Sequence, residues 1–267
     1  MIIVLPPSEG KTARRRGKPM DLDGLSFPSL SGARAAVGAA LAEVSGWPSA
    51  PEVLGVSAGL LDDIVANLVL GSAPAVPVGE LYSGVLYDAL DLAGLDPASQ
   101  ARARRRVVVI SALYGALRLT DKVAPYRLAM GASLPQLGRL APFWRPLLVP
   151  ALVAAAGSGV VVDMRSAPYV AAAPAPADLA HRWVHVRVPG ASHGAKHTRG
   201  LVARALCGIP SAPRTVPAVA KALEADFDVT LAPSEGGRPT WVMDVTLRAD
   251  VHPVAGGAAT SGTRARR

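Results

Sequence analysis

Apolar and polar positions follow two rhythms along this chain. Short, β-branched apolar runs stand at Ile2 to Leu5, at Val107 to Ile110 and within Gly159 to Met164, and each predicts a buried strand. The stretch from His181 to Val188 sets His181, Trp183, His185 and Arg187 against Arg182, Val184, Val186 and Val188, which reads as a two-faced strand. Phe227 to Pro233 and Thr240 to Leu247 add two more strands, joined by a Gly-rich turn. Between these lie helical patterns. Ser31 to Val44 has helix-forming composition with Ser31 as N-cap, and Gly46 and Pro48 end it. A short helix carrying Arg102, Arg104, Arg105 and Arg106 leads into Val107. Phe143-Trp144 anchors a further helix that begins near Pro146 or Pro150. Leu201, Val202, Ala205 and Leu206 mark the apolar face of the next, and a last one runs from Val216 to Ala225.

Leu54-Gly55-Val56 sits between two helical patterns, the second with Leu60, Leu61, Ile64, Val65 and Leu68 on its apolar face. Helix, tight glycine turn, helix is the form of a helix-hairpin-helix, in which the turn and the next helix's N–H groups grip a DNA phosphate. The alternative is an ordinary helical pair, because Asp62 and Asp63 put negative charge where the phosphate would lie.

The strands end in polar loops. After Ile110 come Ser111, Tyr114, Arg118, Asp121, Lys122, Tyr126 and Arg127, and after the Gly159 to Asp163 strand come Arg165, Ser166 and Tyr169. Two strand ends of this kind point to one shared cleft. Gly10-Lys11-Thr12 follows the first strand, but a phosphate-binding P-loop requires glycine where Leu5 stands. What survives is a loop of Ser8, Gly10, Lys11 and Thr12 suited to holding an anion by backbone N–H groups and one ammonium. Tyr82, Ser83, Gly84 and Tyr87 are candidates for pocket walls. Lys196, His197 and Arg199 crowd the start of a helix whose dipole favours an anion. His193 and His197 have metal-ligand spacing, but with no third ligand nearby and cations on both flanks no metal is assigned, nor any cofactor.

Composition narrows the function classes. The 267 residues are 50% hydrophobic and 18% charged, a globular composition rather than a disordered one, with one domain expected over residues 1–250 and a disordered tail from 251 to 267. Twenty-eight Lys and Arg against 20 Asp and Glu give a net charge of +8, which favours an anionic partner unless it reflects an Arg-rich compositional bias. Cys207 is the single cysteine, excluding an intramolecular disulfide and a cysteine zinc cluster and fitting a reducing compartment. With neither a signal-peptide pattern nor an apolar stretch of membrane-spanning length, a cytoplasmic location and no membrane partner are expected.

Five segments in one order, IIVLPPSEGKT, LYSGVLYDAL, SALYGALRLTDKVAPYRLAMG, VVDMRSAPY and AKHTRGLVARAL, resemble the YaaA peroxide-stress family in its actinobacterial branch. The resemblance implies an intracellular α+β protein of mixed α/β type: a central sheet surrounded by helices, with a helix-hairpin-helix element over 33–70, a basic cleft, protection from hydrogen peroxide and DNA binding. The motif positions fall on Ser8, Lys11, Tyr114, Arg118, Tyr126, Arg127, Ser166, Tyr169, Lys196 and Arg199. One departure is that VRVPGASHGAKHTRG reaches the basic helix without the family's preceding hairpin. Two functions follow from this set. In one, DNA lies in the cleft with Lys and Arg on its phosphates and Gly55 at the gripping turn. In the other, the cleft is an enzyme site for a small phosphorylated or nucleotide-like molecule, or an extruded base. There Lys11, Arg127, Lys196 and Arg199 hold the anion, Tyr114 or Tyr169 donates a proton, and Asp163 orients or acts as base. A third possibility is that these residues chiefly form a buried polar network.

Overall fold

A computed structural model describes residues 1–190, 194–233 and 240–248. Its strands are β1 (Ile2–Leu5), β2 (Val76–Pro77), β3 (Val107–Ser111), β4 (Gly115–Arg118), β5 (Lys122–Val123), β6 (Ser133–Leu134), β7 (Gly138–Arg139), β8 (Val161–Asp163), β9 (Trp183–Arg187), β10 (Phe227–Pro233) and β11 (Trp241–Leu247). Its helices are α1 (Ser31–Ser45), α2 (Ala50–Leu54), α3 (Leu61–Ala66), α4 (Val78–Leu81), α5 (Val85–Leu90), α6 (Pro97–Arg106), α7 (Leu140–Ala156), α8 (Ala167–Ala172), α9 (Gly194–Gly208) and α10 (Val216–Leu223). Among the described residues no helix is long and apolar enough to cross a membrane.

The fold is mixed α/β: one seven-stranded sheet in the order β10-β11-β9-β8-β1-β3-β4, flanked by helices. Its five inner strands are parallel, and the edge strands β10 and β4 run antiparallel to their neighbours. Every residue of β1 and β3 is buried. Helices cover both faces of a parallel sheet, so its inner strands read as continuous apolar runs rather than as alternation. The two-faced reading of β9 holds from Val184 to Arg187, with Val184 and Val186 buried, His185 half-buried and Arg187 exposed; only Trp183, buried on the other face, departs from it.

Three local expectations change. Ser31 is the first residue of α1 rather than its cap, because the 3-10 turn Pro28–Leu30 already brings the backbone into helical conformation. The segment after β3 is not a loop: Gly115 at φ +67° turns it into β4, paired back on β3 from Val108 to Ser111. Helix α7 starts at Leu140 and runs through Pro146 and Pro150. Pro142, Pro146 and Pro150 recur every four residues on its exposed face, so the carbonyls deprived of an N–H partner face water. On the opposite face Trp144, Leu148 and Leu152 are fully buried, and the Trp144 indole N–H donates to the Ala112 carbonyl at 2.8 Å.

Several arginines serve the interior. Arg106, 7% exposed, donates to the carbonyls of Leu206, Ile209 and Pro210, and Arg102 to those of Cys207 and Gly208, closing the C-terminal end of α9. Arg204 does the same for Leu90, Asp91 and Gly94 after α5. These carbonyls are the acceptors a helix end leaves unpaired, and a cation there also suits the helix dipole. Part of the positive excess is therefore used within the chain rather than offered to a partner.

Candidate functional site

The sheet topology places a crevice before any side chain is considered. From β1 the sheet continues to β3 on one side, whereas β8, on the other side of β1, is followed by β9 still farther out. The loops after β1 and β8 therefore diverge at the carboxyl edge of the parallel strands, the position where open α/β sheets bind ligands. Pro6-Pro7, with no N–H to offer a ladder, take the chain off the sheet and into the Ser8–Lys11 loop.

A cavity of about 470 Å³ fills this crevice. It brings together Ser8 and Lys11 from the loop after β1, Ser166 and Tyr169 from the loop after β8 and α8, and Lys196 and Arg199 from the first turns of α9. Arg127 and Gly55 join them from two other segments. Leu54 and Val56, named in the sequence only with the Gly55 turn, also line the cavity, as do Glu9, Val85, Leu86 and Leu128, which the sequence reading did not single out. Glu9 stands inside the PPSEG segment and was within reach of that reading; the aliphatic residues carry no local mark.

The Lys11 ammonium donates to the carbonyls of Ser8 at 2.9 Å and Glu9 at 3.3 Å, and lies 4.4 Å from the Tyr126 ring centroid and 5.7 Å from that of Tyr82. Burial, reinforced by the charge of Arg127, lowers its pKa to about 8, against a smaller opposing pull from Asp63 and Glu9. Arg127 pairs with Glu9 at 3.2 Å and with Asp63 at 3.8 Å. Its backbone is held from both sides by Asn67, which accepts from the Arg127 N–H at 2.8 Å and donates to its carbonyl at 3.1 Å. Burial raises the Tyr169 hydroxyl to about 12, so it stays protonated. Arg199 is half-buried, burial lowers its pKa, and its Nε is shielded from solvent without a hydrogen-bond partner. Four cations and one carboxylate thus face one cavity.

Other candidates lie elsewhere. Tyr126 sits beneath the cavity floor, its hydroxyl accepting from Ser111 at 2.8 Å and 3.2 Å from the Tyr82 hydroxyl. Tyr114 is 1% exposed and donates to the Ala124 carbonyl, because the β3–β4 hairpin turns it into the core. Arg118 extends along the sheet edge to the carbonyls of Arg105 and Val107, with its guanidinium over the Phe27 ring. Asp163 is buried and paired with Arg165, which donates from Nε at 2.8 Å, from Nη2 at 2.6 Å and from its backbone N–H at 3.1 Å; the Trp183 indole adds a fourth bond at 3.1 Å. None of these four lines the cavity, although the Tyr126 ring stands beside Lys11. Of the four residues named as pocket walls from the sequence, Gly84 and Tyr87 line it and Tyr82 and Ser83 do not.

Gly55 ends α2 at φ +64°, where its N–H and that of Val56 close back on Glu52 and Pro51. The two helices it separates have only five and six residues, and Asp62 and Asp63 stand in the first turn of α3. Asp63 pairs with Arg127 at 3.8 Å, so this element sets an acidic side chain against one of the cations of the cavity. His193 lies outside the described residues, as do 249–267, including the tail; His197 is exposed.

Residues 1–213 match the family described as Peroxide stress protein YaaA. The chain belongs to this family. Among its relatives, UPF0246 protein SCO2297 of Streptomyces coelicolor is 44% identical over 262 residues, 94% of this chain and all of the relative. UPF0246 protein CE1889 of Corynebacterium efficiens is 36% identical over 253 residues, 92% of this chain and all of the relative. The resemblance drawn from the five segments therefore holds at the level of the family. The family match covers residues 1–213 and so includes Lys11, Arg127, Lys196 and Arg199, the cations of the cavity.

Proposed function

We propose that the protein contributes to the peroxide-stress response by binding a phosphorylated, nucleotide-sized ligand in the cavity between β1, β8 and α9. The observation that carries this reading is the convergence of Lys11, Arg127, Lys196 and Arg199 on one cavity, with the Arg199 Nε buried and unpartnered. A buried donor without an acceptor costs about 1–3 kcal/mol, and a phosphate oxygen removes that cost. The volume, about 470 Å³, lies within the range of small-molecule pockets and is too small for a duplex. Direct reaction of peroxide with the protein thiol has no support, since Cys207 is fully buried and burial pushes its pKa up to about 11.

A second reading extends the first: the nucleotide is presented by DNA and swung out of its stack into the cavity. It is favoured by the exposed run Arg14, Arg15, Arg16 and Lys18, which leaves the cavity directly after Lys11, and by the Gly55 turn in the cavity wall.

Titration with a nucleoside monophosphate, a fully paired duplex and a duplex with one unpaired nucleotide tests both. The monophosphate is expected to bind, and Arg199→Ala to weaken it by about 10- to 100-fold, the loss of a charged hydrogen bond. On the DNA reading the unpaired duplex binds more tightly than the paired one, with affinity falling steeply as salt rises. No monophosphate binding, together with paired-duplex binding indifferent to Arg199→Ala, would overturn the assignment of the cavity.

A further inference from the structure

Lys11 differs in its surroundings from the other three cations of the cavity. Arg127 takes both nearby carboxylates, Glu9 and Asp63, and among the described residues no carboxylate lies within ion-pair distance of Lys11. Its Nζ rests instead on two neutral carbonyls of its own loop and on the faces of two phenol rings. An ammonium held this way has lost hydration and has Arg127 beside it, and these two effects outweigh the carbonyls, the ring faces and the weaker attraction of Asp63 and Glu9. The neutral amine suffers neither penalty.

We infer that Lys11 is a nucleophilic amine that condenses with the carbonyl of a phosphorylated aldehyde or ketone whose phosphate lies on Lys196 and Arg199. This rests on the phosphate-binding reading of the cavity. In the reaction the Nζ lone pair attacks the carbonyl carbon, a C–N bond forms and the C=O π pair moves to oxygen, which takes a proton. The Tyr169 hydroxyl, protonated and lining the same cavity, is the donor in this scheme. The nitrogen, left cationic by the attack, releases one proton to solvent, and its recovered lone pair then forms C=N as the oxygen takes a further proton and leaves as water. Aldehyde, amine and one proton thus become a protonated imine and water, with no change in oxidation state. With a pKa of about 8, roughly a quarter of Lys11 is neutral at pH 7.5, against about 0.1% of an ordinary lysine.

The other lysines, Lys18, Lys122, Lys196 and Lys221, are all exposed and serve as internal controls. The intact protein is incubated at pH 7 with D-glyceraldehyde 3-phosphate and cyanoborohydride, which reduces the imine to a stable amine, and adducts are mapped by peptide mass spectrometry. Glyceraldehyde without phosphate is the second arm, and phosphate binding is measured separately by calorimetry. Lys11 is expected to label at least about tenfold faster than any other lysine, more slowly when inorganic phosphate is added, and faster as pH rises from 6.5 to 8.5. Lys11→Arg is expected to remove the preferred adduct and keep phosphate binding; should that variant not fold, competition on the unaltered chain decides. Phosphate binding without preferential labelling of Lys11 overturns the inference and leaves the anion site standing. Equal labelling of Lys11 by both aldehydes, indifferent to phosphate, overturns the phosphorylated-carbonyl assignment and the anion site with it.

Discussion

Replacing Asp163 with asparagine separates a structural carboxylate from a catalytic one. Asp163 accepts two guanidinium bonds and the backbone N–H of Arg165 and the indole N–H of Trp183, and Arg165 has no exposed surface. Asparagine keeps the shape and removes the charge, leaving a buried guanidinium without its counter-ion. Breaking a buried pair this way costs about 3–5 kcal/mol. For a chain of this length that is a fall in melting temperature of roughly 6–20 °C. Arg165 also donates to the carbonyls of Tyr169 and Ala173, so the loss loosens α8 and the cavity wall it carries. The pH dependence has a definite sign. Burial alone would raise the Asp163 pKa, but the charge and hydrogen bonds of Arg165 outweigh it and hold the folded-state value below 3.8. The gap between wild type and Asp163→Asn is therefore full above the unfolded carboxylate value of about 3.9 and closes as pH falls through the lower folded-state value. Urea denaturation of both proteins from pH 7 down to pH 3 measures it. A melting temperature within about 2 °C of wild type, with ligand binding or turnover abolished, would refute this account and restore Asp163 as a base acting in the cavity.

Two further outcomes follow from close contacts. At Gly200 an added Cβ would stand 2.2 Å from the Leu86 carbonyl oxygen and 2.7 Å from the Ala89 Cβ, so Gly200→Ala must drive α9 away from α5. A loss of about 1–3 kcal/mol in the denaturant midpoint is expected, with weaker phosphate binding because Val85, Leu86 and Tyr87 line the cavity; Gly208→Ala, with open space around it, is the control. Cys207, buried with its thiol raised to about 11, is expected to alkylate at pH 8 at least about 100-fold more slowly in the native protein than in urea; native-rate modification by iodoacetamide or hydrogen peroxide would reopen a redox role.

The strands were legible because their environment is extreme. With both faces covered, β1 and β3 admit only apolar residues, and a short unbroken run leaves few alternatives. Helix α7 was less legible because Pro146 normally stops a helix. Only the position of the prolines on a solvent-facing stripe, opposite Trp144 and Leu148, makes them tolerable, and that stripe is defined by what the other face touches. Charge was the least legible feature. Arg106 and Arg199 are the same residue type, yet one closes a helix end a hundred positions away and the other lines the cavity with an unpartnered nitrogen.

By itself the sequence determined the family, the apolar strands and the chemical content of the loops that leave them, because these depend on residue type and local spacing. The tertiary structure decided which of those loops meet. Strand order sets β1 beside β8, and their diverging connections gather Ser8, Lys11, Ser166 and Tyr169 with the start of α9. The β3–β4 hairpin sends Tyr114 and Arg118 away, although they belong to the same motif as Arg127. A motif records that its residues are needed together in one fold; whether a side chain reaches the cavity or holds its walls depends on non-local pairing, which local spacing does not encode.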